Sequence, residues 1–132
     1  MPRYDAYAAS KAAVVRLSEN LAIALAPLPV NCVAPGFVAT EMHEATLAAG
    51  PVVAGAEYYE RTVRVLREGG VPPHEAAELV CTLLEDARFT GKLISAQWDP
   101  WRDPDFRDRL AADSGLATLR RIDGTLFAEA AS

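Results

Sequence analysis

Tyr7 and Lys11 stand four residues apart in a segment, Ala6 to Leu25, that is rich in Ala and Leu and free of Gly and Pro. Such a segment reads as a helix, and residues four apart on a helix share one face. An ammonium beside a phenol favours the phenolate. A tyrosine poised in this way can exchange a proton with a hydroxyl or carbonyl oxygen near neutral pH. Taken alone, the pair reads more simply as an exposed i,i+4 contact. Lys11 is one of only two lysines among thirteen basic residues, the other being Lys92.

The remaining reactive side chains give weaker signals. Arg61, Arg64 and Arg67 could gather a phosphate, but Glu57 and Glu60 stand four residues before Arg61 and Arg64, which favours a solvated, ion-paired face. His43 and His74 form no H-E-x-x-H, and Cys32 and Cys81 no C-x-x-C, so no metal site is expected. Two such distant cysteines point to a reducing, cytoplasmic setting, with Cys32 in a strand and Cys81 in a helix core. Trp98 and Trp101 read as packing residues rather than the rim of a substrate mouth.

The elements that must position Tyr7 and Lys11 follow from periodicity. Val14, Leu17, Leu21 and Leu25 recur at helical spacing along the first helix, and Pro27 ends it. Val30 to Ala34 is short, apolar and β-branched, which predicts a buried strand. Pro35-Gly36 breaks it, and a loop is expected as far as Gly55. Ala56 to Glu68 is a second amphipathic helix, stopped by Gly69-Gly70. Pro73 to Asp86 is a third, with Ala76, Val80, Leu83 and Leu84 predicted to face inward. Leu93 to Ala96 is a second strand, and Asp103-Pro104 opens a short helix. Helices alternating with short apolar strands predict an α/β fold with parallel strands joined by crossovers. Two strands leave open edges, so the sequence reads as part of a domain.

Length and charge exclude several classes. The chain has 132 residues and a net charge of -5, which fits at most one domain and disfavours nucleic acid as a partner. The uncharged run from Leu21 to Thr40 is interrupted by Pro27, Pro29, Pro35 and Gly36, so no membrane span is expected.

Tyr7, Ser10 and Lys11 on a long helix, the N-x-x-A-P-G turn from Asn31 to Gly36, and Thr40 four residues later together resemble the short-chain dehydrogenase/reductase family. GVPPHEAAELVCTLLED and FTGKLIS resemble that family's last core helix and last strand. The resemblance covers about residues 4 to 96. It implies the C-terminal part of a Rossmann-like, doubly wound parallel sheet, about two strands with flanking helices. Residues 1–98 would belong to that domain, and 99–132 would be a polar tail, partly helical or disordered.

The same resemblance implies roles. Tyr7 would be the catalytic acid/base, and Lys11 would favour its phenolate and hydrogen-bond the nicotinamide ribose. Pro35, Gly36, Val38 and Thr40 would border the nicotinamide of NAD or NADP. The substrate would be a small alcohol or carbonyl compound, exchanging hydride with the cofactor. Ser10 would pack in the helix rather than act in catalysis, Tyr4 would be a loop or interface residue, and His43 could reach the substrate. The full-length enzyme would be a homo-oligomer.

The pattern is also incomplete. The eight glycines form no G-x-x-x-G-x-G or G-x-G-x-x-G turn for pyrophosphate. Met1 lies too close to Tyr7 for the family's serine, about a dozen residues upstream. The N-terminal nucleotide-binding half is therefore expected to be absent and the chain alone inactive. The alternative is a non-enzymatic fragment that associates with full-length subunits.

Overall fold

The computed structural model describes residues 5–119, the side chain of Met42 excepted. Tyr4 and the far end of the expected tail lie outside the described residues. The elements in chain order are α1 (Asp5–Ala24), β1 (Cys32–Ala34), a 3-10 turn (Glu41–His43), α2 (Glu44–Ala54), α3 (Ala56–Glu68), α4 (Pro73–Glu85), β2 (Leu93–Ser95) and α5 (Pro104–Ala112). β1 and β2 pair in parallel, Cys32 opposite Leu93 and Ala34 opposite Ser95. The architecture is α/β with a two-stranded sheet among its described residues. No helix of this part is long and apolar enough to cross a membrane.

α2 was not expected, because Gly50-Pro51 reads as a break. The chain instead bends through it: Gly50 takes φ 70 and ψ 172, and helix resumes at Pro51. Proline suits that position, since the first residues of a helical turn need no N–H partner. α5 begins as its sequence predicts, with the Asp103 side chain accepting from the Asp105 amide and Pro104 in the first turn.

The core sits on one side of β2. Leu79 and Leu83 of α4 meet Phe89, Ile94, Ala96, Trp101 and Leu110 there. The inward face of α4 is thus displaced from expectation: Val80 and Leu84 are exposed, and Leu79 takes their place in the core. Cys81 is likewise exposed rather than a core residue. Two of the core residues, Trp101 and Leu110, come from the segment after Trp98, so its described part is packed. Trp101 donates its indole N–H to the Ala96 carbonyl at 3.2 Å. The guanidinium of Arg102 lies 3.9 Å from the Trp101 ring centroid. Trp98, by contrast, is largely exposed and lies outside the core.

Two polar side chains tie the strands to what precedes and follows them. Asn31 donates to the Phe89 carbonyl at 2.8 Å and accepts from the Lys92 amide at 3.1 Å. Lys92 is buried, and burial pushes its ammonium below the usual lysine range. Its Nζ donates to the carbonyls of Asp113 at 2.7 Å and Leu116 at 2.9 Å. Charge-assisted bonds of this kind are what permit a buried cation.

α1 is the exception to this packing. Only Ala22 of its described residues is buried. Tyr7, Val14, Leu17 and Leu21 form an exposed stripe on one side, and Ile23 is exposed on another. An exposed apolar stripe of this kind marks a surface that further core or a partner would cover.

Candidate active site

Two contacts fix how α1 runs along the sheet. The Cys32 thiol donates to Ser18 Oγ at 3.1 Å. A Cβ on Gly91 would lie 3.5 Å from that of Ala22, and the Gly91 amide donates to Val30 O at 2.7 Å. The C-terminal end of α1 therefore lies beside the N-terminal ends of both strands. Tyr7 lies about 16 Å back along the helix axis from Ser18. Gly36 lies about 13 Å beyond Cys32 in the strand direction. The two stretches run the same way, so the Tyr7 end of α1 and the Pro35-Gly36 turn share one end of the sheet. In open α/β sheets, ligands bind at the carboxyl ends of the strands.

At that end Lys11 Nζ stands 5.3 Å from the centroid of the Tyr7 ring. Tyr7 is 57% exposed, so its phenol is accessible to a reactant. Ser10 donates to the Tyr7 backbone carbonyl at 2.7 Å, but the residue is exposed rather than packed.

The second part of the site is the loop after β1. Gly36 takes φ 82, and a Cβ there would meet Gln97 Oε1 at 2.8 Å and Val71 Cγ2 at 2.9 Å. Val38 forms an isolated antiparallel bridge with Gly70, and Val71 N–H donates to Phe37 O at 2.8 Å. Gly70 is required there, because a Cβ would fall 2.7 Å from Phe37 O. His43 Nε2–H donates to Val38 O at 3.1 Å, and its ring stacks on Phe37 with centroids 4.1 Å apart. The structure thus gives His43 a role in bracing the loop. Thr40 is exposed, and its hydroxyl bonds no described residue. We expect Gly36→Ala to destabilise the chain by about 1–3 kcal/mol, from positive φ and crowding together. A chemical-denaturation midpoint measures this, and an unchanged midpoint would contradict the geometry.

A cleft of about 320 Å³ opens beside this loop, lined by Phe37, Arg61, Val65, Glu68, Gly70, Val71 and Gln97. Arg61 enters it together with an acidic residue, while Arg64 and Arg67 do not line it. The expected Glu57–Arg61 and Glu60–Arg64 pairs do not close to ion-pair distance. Exposed pairs of this kind gain only tenths of a kcal/mol, too little to hold two long side chains in one geometry. Among the described residues no group of three His, Cys, Asp or Glu could hold a metal ion.

Comparison with known proteins identifies the family. The family model described as enoyl-(acyl carrier protein) reductase matches residues 1–95. A "short-chain type dehydrogenase/reductase" of Picea abies is 39% identical over 101 residues, 74% of this chain and 33% of that protein. The chain belongs to the short-chain dehydrogenase/reductase family. "Dehydrogenase/reductase SDR family member 4" of Sus scrofa is 35% identical over 97 residues, 70% of this chain and 33% of that protein. The short-chain dehydrogenase/reductase homolog YusR of Bacillus subtilis is 37% identical over 92 residues, 67% of this chain and 64% of that protein. The chain therefore spans about a third of the first two relatives. No solved structure matches it.

Sequence reasoning missed the structural roles of Asn31, Lys92 and His43. For Lys92 there was a signal, its rarity in an arginine-rich chain. His43 gave none, because stacking on a residue six positions earlier has no periodic signature.

Proposed function

We propose that residues 5–96 are the acid–base portion of an NAD(P)-dependent oxidoreductase that interconverts a small alcohol and its carbonyl compound. The observation that supports this most is the Lys11 ammonium over the accessible Tyr7 phenol, at the end of the sheet that carries Pro35-Gly36. The bound nicotinamide would supply or accept the hydride. Tyr7 Oη gives a proton to the carbonyl oxygen in reduction and takes one from the hydroxyl in oxidation. Lys11 holds its positive charge 5.3 Å from the centroid of the Tyr7 ring. It also offers N–H donors to the ribose hydroxyls.

The residues present fit the nicotinamide end of the cofactor. Lys11 is exposed, the Thr40 hydroxyl bonds no described residue, and both are donors suited to ribose or carboxamide oxygens. Val38 and Gly36 are braced from behind, which keeps that wall rigid. No Gly-rich pyrophosphate turn occurs in the sequence. We therefore expect the isolated chain to show no saturable NADH or NADPH binding in the micromolar range. Titration followed by nicotinamide fluorescence tests this, and micromolar saturation would show that the chain anchors the cofactor unaided.

The exposed apolar stripe of α1 favours a second reading, in which the chain acts by associating with subunits of a complete relative. Mixing with such an enzyme and measuring co-elution separates the two, because only the second requires a stable complex.

A further inference from the structure

Residues 96–119 lie beyond the segment that the family model matches, yet they are integral to the sheet. In a parallel ladder, alternate residues direct their backbone groups to opposite sides. Ile94 faces β1, and Leu93 and Ser95 face outward. Three of their four outward groups are occupied by the chain's own C-terminal segment, the Leu93 carbonyl being the exception among described residues. Leu93 N–H donates to Ala117 O at 2.8 Å, and Ser95 N–H to Asp99 Oδ2 at 2.7 Å. Ser95 O accepts from the Asp99 amide at 3.3 Å. The opposite edge of the sheet differs: Val33 faces away from β2, and no described residue pairs with its backbone.

The segment is fastened at three places. Trp101 and Leu110 lie in the core. Arg102 bonds Glu75 at 2.8 Å and Glu78 at 2.6 Å, both on α4. Lys92, immediately before β2, holds the Asp113 and Leu116 carbonyls through its buried Nζ. Those carbonyls flank the turn that delivers Ala117, which takes φ 55. That conformation is unfavourable for a residue with a Cβ, and the Lys92 bonds to the residues just before it hold it.

An unpaired strand edge is a template for a strand of another chain. We infer that residues 97–119 are an intramolecular edge cap, latched by Lys92, that closes β2 to strand pairing with a second copy of this chain. Strand addition is then confined to the Val33 edge.

The test compares the 132-residue chain with its Lys92→Met variant, which keeps the apolar stem and removes the latch. Amide exchange by NMR should speed up at least ~10-fold at Leu93 while Ile94 and Ala96, which face β1, keep their protection. Sedimentation should show association beyond that of the parent chain. Adding Ser95→Pro, which removes an outward N–H at an edge position where proline is tolerated, should cancel the gain. Unchanged exchange at Leu93, or association that survives Ser95→Pro, overturns the inference. A chain ending at Asp113 gives the same comparison if Lys92→Met does not fold. Failure of both to fold also overturns it, since the segment would then be core rather than cap.

Discussion

Tyr7→Phe, in an enzyme completed with the nucleotide-binding part of a full-length relative, lowers turnover by about 10²–10⁴ while leaving cofactor affinity nearly unchanged. The size is that of a lost general acid–base step. The substitution removes one hydroxyl from a side chain that is 57% exposed, so packing changes little. Lys11→Ala should behave differently, weakening both turnover and cofactor binding, because its ammonium serves the phenol and the ribose alike. Steady-state kinetics with a separate binding titration resolves the two patterns. Near-normal turnover in Tyr7→Phe would remove Tyr7 from the mechanism. Equal loss of binding in both variants would instead point to misfolding of α1.

Phe89→Ala abolishes cooperative folding of the chain. Phe89 is 0% exposed and sits among Leu79, Leu83 and Ile94 in the described core. Truncating a buried Phe to Ala costs about 3–5 kcal/mol. A small domain has only about 5–15 kcal/mol to lose, and a bare α1 places this chain at the low end. Its backbone carbonyl also accepts from Asn31, so the collapse of this turn loosens the start of both strands. Leu28→Ala is the control: Leu28 is 63% exposed, and the change should stay within about 0.5 kcal/mol. Thermal unfolding followed by circular dichroism separates the two. A cooperative melt in Phe89→Ala within a few degrees of the parent would mean that the core lies elsewhere.

How far the sequence revealed this molecule depended on how local each signal was. α1, α3, α4, both strands and the start of α5 follow from periodicity and from Pro, Gly and Asp at element ends. The Tyr7–Lys11 pair was legible because it lies within one helix turn. α2 was hidden by Gly50-Pro51, whose breaking tendency was real but produced a bend. Val80 and Leu84 show a different limit. Periodicity marks a face as apolar but does not say whether this chain covers it, and here they border an open groove with Pro29, Val30 and Val33. The bonds of Asn31, Lys92 and Arg102 join residues far apart in sequence, and no local pattern encodes them.

The contrast between the two indoles makes the molecule its own optical gauge. Trp98 is 70% exposed, whereas Trp101 is 5% exposed beneath the Arg102 guanidinium. Indole emission shifts to the red in water, and a collisional quencher reaches only a ring that solvent can touch. Acrylamide or iodide should therefore extinguish Trp98 first and leave a bluer signal from Trp101. That residual band follows the seating of Trp101 in the core. Detachment of the C-terminal segment would become visible as a colour change.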